Sequence, residues 1–130
     1  MVDIDHFKQF NDEFSYAAGD ALLQVLGNFL LASRREGDVV CRYGGEEFIL
    51  ILPETSLEEA GQHAEELRRS VKKLQVQHCG QPLGTITVSL GVAASPDHGN
   101  GPDEVLRAVD TALHQAKNEG RDRMIIAGCS

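Results

Sequence analysis

Residues 39–52 run Val-Val-Cys-Arg-Tyr-Gly-Gly-Glu-Glu-Phe-Ile-Leu-Ile-Leu, and no other stretch restricts the fold so closely. Two β-prone apolar runs flank Gly44-Gly45, which predicts an antiparallel hairpin with the glycines at its tip, where positive φ costs little. From Phe48 to Leu52 every position is apolar, the pattern of a central strand covered on both faces. Further strands and covering helices must therefore come from the rest of the chain. Directly after the tip stand two adjacent carboxylates, Glu46 and Glu47. Like charges held side by side on a stiff turn repel, and divalent cations would relieve the repulsion. A solvated turn is the other reading of this segment.

A second acidic cluster lies at the amino end. Asp3-Ile4-Asp5 reads as the last residues of a strand, and the period of two puts Asp3 and Asp5 on one face. An acidic strand end facing an acidic hairpin tip is a common way to build a hard-cation site for phosphates. The alternative is that both aspartates merely end a strand and cap the next segment.

The remaining elements read as an alternation. Phe7 to Asp12 is a short helix. Gly19-Asp20 opens a long helix to about Arg35, with Asp20 as its N-cap and Leu22, Leu26, Phe29 and Leu30 as the buried stripe. Pro53 ends the hairpin, and Ser56-Leu57-Glu58-Glu59 is a capping box for a helix to about Leu74. Gly80 to Gly84 is a turn, and Thr85 to Ala94 is β-rich. Pro102 suits a helix's first turn, Leu106, Val109, Leu113 and Ala116 mark one face, and Gly120 closes it. Met124 to Ala127 is a last strand. The order predicts a mixed sheet with helices packed on it, without repeats or linkers.

Composition sets the outer limits. At 130 residues the chain is one domain with room for a core. A net charge of −8 argues against a nucleic-acid backbone as partner. A polyphosphate substrate would need metal ions or a few aimed Lys and Arg. No apolar run reaches membrane-spanning length, and no secretory signal is visible. Cys41, Cys79 and Cys129 are scattered without metal-ligand spacing and read as reduced thiols of a cytosolic protein.

Taken in order, these segments resemble the GGDEF family, the diguanylate cyclase catalytic domains. The resemblance rests on Gly44-Gly45-Glu46-Glu47-Phe48, a GGEEF form, on Asp3-Ile4-Asp5-His6-Phe7-Lys8 with Asn11-Asp12, and on Gly19-Asp20. It continues through Ser89-Leu90-Gly91-Val92 and Ala116-Lys117 to Gly120-Arg121, from one end of the chain to the other. A lone GGEEF would be weak; the ordered set is specific.

The resemblance implies an α+β, ferredoxin-like palm of the nucleotide-cyclase type, with a central mixed sheet flanked by helices. It implies condensation of two GTP into cyclic di-GMP with release of pyrophosphate, by two domains face to face, with two divalent ions, Mg2+ or Mn2+, per active site. By the family pattern Asp3, the Ile4 carbonyl, Glu46 and Glu47 hold metal, and Glu46 is also the base for the 3′-hydroxyl. Asn11 and Asp20 read guanine, Lys8 contacts the transferring phosphate, and Lys117 and Arg121 grip the β- and γ-phosphates. From the residues alone, Asp20 is equally a helix cap, and Lys117 and Arg121 compensate a helix dipole. Arg35-Glu36-Gly37-Asp38 resembles the family's RxxD product-inhibition motif, so Arg35 and Asp38 are expected to bind cyclic di-GMP; they also suit a helix end and a turn. An upstream sensor is the implied partner, with no contact to nucleic acid or membrane by this segment.

Three departures accompany the resemblance. Tyr16 stands where the family usually has His, and Glu66 where it often has a second inhibitory-site Arg. The chain also starts inside the family's first strand. The sheet is then expected to lack a cover and Asp3 to sit on a frayed terminus, unless another copy fills the gap. A non-catalytic module that binds GTP or cyclic di-GMP is the alternative function, as is a dimerisation module with an inert site.

Overall fold

A three-residue strand occupies the centre of the sheet. In the computed structural model, which describes residues 1–128, β1 (Val2–Ile4) pairs antiparallel with β3 (Glu47–Ile51) on one side and β6 (Val88–Val92) on the other. β2 (Val39–Arg42) forms the predicted hairpin with β3, and β7 (Met124–Ile126) lies parallel to β6, giving the order β2-β3-β1-β6-β7. The terminus at Asp3 is therefore not frayed: β1 is buried at every position, and the Met1 nitrogen extends its ladder by donating to the Gly91 carbonyl at 2.9 Å.

The register sorts the side chains onto two faces. Val2 stands opposite Phe48 and Leu90, and these join one core with α2 (Tyr16–Ser33) and α3 (Leu57–Val71). Asp3 stands opposite Glu47 and Ser89 on the other face, which α4 (Pro102–Asn118) covers through Val109 and Leu113 packed with Met1. Gly91 makes that seat possible. A Cβ there would lie 2.4 Å from the Val109 carbonyl and 2.7 Å from the Leu113 nitrogen, so only glycine lets the helix come down on the strand. The run from Pro102 to Gly120 behaves as its sequence predicts. Pro102 is the first helical residue, and Gly120 (φ +121°) closes a Schellman cap, with Arg121 N bonded to Ala116 O at 3.0 Å.

Several boundaries differ from expectation, each for a local reason. The long helix starts at Tyr16 and ends at Ser33, because Ser15, whose hydroxyl accepts from Ala18 N at 3.0 Å, is the N-cap rather than Asp20. Gly19 is inside this helix, where it admits Asn11 of α1 (Phe7–Glu13): a Cβ would fall 1.8 Å from Asn11 Oδ1. α3 has the predicted Ser56 cap but stops at Val71, ahead of Leu74. The turn near Gly80 is a small separate hairpin, β4 (Gln77–His78) with β5 (Gln81–Pro82). Neither Gly44 nor Gly45 has positive φ. The tip is a longer loop closed by Tyr43 N on Glu47 O at 2.8 Å, and such loops do not need left-handed residues. β3 is central in pairing yet covered on both faces only near Phe48: Ile51 is 52% exposed, and Val39 opposite it is 46% exposed. Among the described residues no helix is long and apolar enough to cross a membrane. Cys41 and Cys79 are free and exposed, and Cys129 lies outside the described residues.

Candidate functional site

Three segments meet where β1 ends. The β1–β3 register sets Asp3 beside Glu47, and Ile4 N donates to the Glu46 carbonyl at 3.3 Å, so the hairpin tip is bonded directly to the acidic strand end. From above comes the last turn of α4: Lys117 Nζ lies 2.5 Å from Asp3 Oδ2. Residues 3, 46, 47 and 117 are thus brought together by β pairing and by the helix seat at Gly91.

The electrostatics of this junction are unequal. Burial pushes the Asp3 carboxyl from its ordinary 3.8 up to about 6; the charges of Glu46 and Glu47 add to that, and the Lys117 ammonium opposes it. Asp3 is the buried one of the three carboxylates and has a single cation partner, so it carries the strain. Among the described residues no three His, Cys, Asp or Glu side chains are drawn close enough to hold a metal as they stand. The donor set nevertheless fits a hard cation. It is all oxygen, it is already repelled into itself at Asp3, and divalent charge is what would relieve it.

The other predicted residues are placed less closely. Asn11 presses against Gly19 and leaves its Oδ1 buried without a hydrogen-bond partner, while Asp20 is exposed one residue beyond that contact. Lys8 is exposed on α1 and Arg121 on the loop after α4. Arg35 and Asp38 lie together on the connection into β2. Asp38 is buried and accepts from Arg35 N at 3.0 Å, so the RxxD segment closes on itself as a turn, with the Arg35 side chain half exposed. Glu66 and Tyr16 are exposed.

The family model described as "Diguanylate cyclase, GGDEF domain" matches residues 1–123. The chain belongs to the GGDEF family. It is similar to diguanylate cyclase DgcP of Pseudomonas aeruginosa, 41% identical over 127 residues, covering 98% of this chain and 19% of that protein. Diguanylate cyclase VdcA of Vibrio cholerae is 42% identical, with 96% of this chain and 37% of that protein covered. The chain thus spans well under half the length of these relatives. Among solved structures, the GGDEF domain of PA1120 (YfiN or TpbB) from P. aeruginosa superposes with a TM-score of 0.91 at 30% identity, covering 99% of this chain and 80% of that one. The GGDEF domain of DgcB from Caulobacter crescentus, solved in complex with c-di-GMP, gives 0.87 at 32% identity over 96% of this chain and 74% of that one. The α+β palm with a central mixed sheet is therefore the fold, as expected.

Within this GGDEF domain, two features of the site were not anticipated from the sequence. Arg42, the last residue of β2, turns its guanidinium onto the tip, donating to Gly44 O at 3.3 Å and to Gly45 O at 2.7 Å. It braces the loop that carries Glu46. Asp5, grouped with Asp3 by the period of two, does a different job. Its carboxylate is taken up by Thr87 Oγ1 at 2.7 Å, Ser89 Oγ at 2.6 Å and Asp122 N at 3.0 Å, so it is not an open ligand. The alternation Thr87-x-Ser89 on a β-rich segment was the signal for the hydroxyl pair; nothing local pointed to Asp122.

Proposed function

We propose that this domain condenses GTP into cyclic di-GMP as one half of a symmetric pair, each domain holding one GTP and two divalent ions, Mg2+ or Mn2+. The observation that carries this reading is the junction of Asp3, Glu46 and Glu47 under Lys117, in a chain of the GGDEF family. The names of the relatives support the same activity.

In each half-reaction the 3′-oxygen of one GTP bonds to the α-phosphorus of the other, the bond to the bridging oxygen breaks, and pyrophosphate leaves. Two such steps close the ring. Asp3, the Ile4 carbonyl, Glu46 and Glu47 are the residues that would hold the ions, which when bound stabilise the attacking and leaving oxygens. Glu46 accepts the hydroxyl proton. Asp20 accepts from guanine N1–H and N2–H₂, and Asn11, whose buried Oδ1 has no partner within the protein, turns to supply a second acceptor. Adenine lacks those donors, and a charged acceptor left unpaired costs about 1–3 kcal/mol or more.

Lys117 has two positions to choose between. One is the pairing of its ammonium with Asp3. Once Asp3 has a divalent partner, Lys117 is free to meet the β- and γ-phosphates with Arg121, while Lys8 serves the transferring phosphate. Arg35 and Asp38 would form the product-feedback site, and Glu66, standing where the family often has a second Arg, would weaken the grip on a phosphate. The domain works in the cytoplasm under a sensor elsewhere in its protein.

The test is to force the domain into dimers, supply GTP with magnesium, and look for cyclic di-GMP and pyrophosphate. Turnover in the parent and loss of at least about a hundred-fold in Glu46→Gln support the enzyme. Nucleotide binding without turnover in the forced dimer would instead make it a signalling receptor.

A further inference from the structure

The phosphate-gripping role given to Lys117 and Arg121 requires the chain beyond α4 to be held in one place, and α4 itself ends at Asn118. Two consecutive residues there, Arg121 (φ 64°) and Asp122 (φ 48°), are left-handed without being glycine. A non-glycine residue held there is strained, and it persists only where its surroundings over-determine it.

The surroundings are a relay of two aspartates. Asp5 collects the Thr87 and Ser89 hydroxyls of the β6 side and, on the same carboxylate, the backbone N–H of Asp122. Asp122 then places its own carboxylate between Arg68 Nη1 of α3 at 2.9 Å and Nζ of Lys72, the residue that caps α3, at 2.5 Å. Sheet, α3 and the left-handed loop are locked to one another at this point. Asp5 is two residues from Asp3, and Asp122 is next to Arg121, so the relay ties the proposed metal end of the site to its triphosphate end.

Resting on the reading above, the geometry points to Asp5 and Asp122 as positioning residues that hold Lys117 and Arg121 in register with Asp3 for a nucleoside triphosphate. Neither touches substrate. Their effect is selective: it falls on recognition of the β- and γ-phosphates and leaves the guanine contacts of Asn11 and Asp20, on α1 and α2, alone.

The experiment compares 3′-deoxy-GTP, which cannot condense, with GMP, both with magnesium, by calorimetry on the folded domain. In Asp5→Asn the affinity for 3′-deoxy-GTP falls about ten-fold or more, as when supporting contacts behind a binding group are removed, while that for GMP stays within about two-fold. In a Lys117→Ala, Arg121→Ala background the same substitution has no further effect, because the residues it acts through are gone. Asp122→Asn keeps the N–H and tolerates left-handed φ, and it gives the same selective loss should Asp5→Asn not fold. Equal losses for both ligands in step with melting temperature would mean a structural role only, and an unchanged triphosphate affinity would also overturn the inference. A parent domain that binds neither ligand would overturn the GTP reading itself, and this inference with it.

Discussion

Replacing Asp3 by Asn should make the ligand-free domain more stable, not less, and only above mildly acidic pH. The reasoning starts from burial. Asp3 is 2% exposed, and its carboxyl is pushed from 3.8 to about 6 by burial and by Glu46 and Glu47, even with Lys117 at 2.5 Å. A raised carboxyl means the folded chain keeps a proton that the unfolded chain has already released. Stability therefore falls as pH rises through the window from 3.8 to about 6, and the loss is complete above it. At about 1.4 kcal/mol per pH unit the difference comes to about 3 kcal/mol.

Asn has the same shape, cannot ionise, and can still accept from Lys117 through its Oδ1. Lys117 is 30% exposed, so water serves its remaining donors. At pH 7.5 and in EDTA, Asp3→Asn should gain about 2–3 kcal/mol, or roughly 10 °C in melting temperature for a domain of this size. Below pH 4 the gain should vanish. Millimolar magnesium should raise the melting temperature of the parent and leave the variant unchanged, which ties the stored repulsion to a cation. Lys117→Met should move the other way, losing on the order of 3–5 kcal/mol at pH 7.5 by leaving the buried charge alone. Urea melts at several pH values measure all of this. A variant that is destabilised, or equally shifted at pH 3.5 and 7.5, would refute the account of Asp3.

Two glycines give sharper tests of how the site is positioned. Gly91→Ala drives a methyl into α4 backbone atoms at 2.4 and 2.7 Å, so it should cost about 3 kcal/mol in urea unfolding and weaken triphosphate binding by lifting Lys117. Gly19→Ala meets the end of the Asn11 side chain and, at 3.2 Å, the tip of the Phe7 ring, both side chains that can give, and a helical Gly→Ala gains about 1 kcal/mol in propensity. Its stability should stay within about 1 kcal/mol of the parent while discrimination between GTP and ATP analogues, read by competition binding, falls about ten-fold as Asn11 is displaced.

Most of the scaffold was legible because its signals are local. The hairpin follows from two apolar runs around Gly44-Gly45, and the α3 start follows from Ser56 and Glu59. The α4 limits follow from Pro102 and Gly120. Each boundary is set by residues that lie beside it in the chain. The misreadings share the opposite cause. Gly19 looked like a helix start because glycine usually punctuates, whereas here it serves a contact with Asn11 from the preceding helix. The glycines at the hairpin tip suggested left-handed φ, whereas the non-glycine residues with positive φ are His6, Glu54, Cys79, Arg121 and Asp122, none of them at the tip.

Asp3 and Asp5 show why the site itself could not be finished from the sequence. They are two positions apart, of the same type, and fall on the same side of the strand, so periodicity treats them alike. Their fates are set by what arrives from elsewhere. Asp5 meets two hydroxyls and a backbone N–H from residues more than 80 positions away and has its charge fully solvated by protein donors. Asp3 meets one ammonium and two further carboxylates, and its charge is left under-compensated. A buried anion short of positive charge is a poor structural element and a good receptor for a cation. The acidic strand end thus separates into one residue that builds the scaffold and one that the scaffold holds ready, and the number of donors reaching each carboxylate decides which is which.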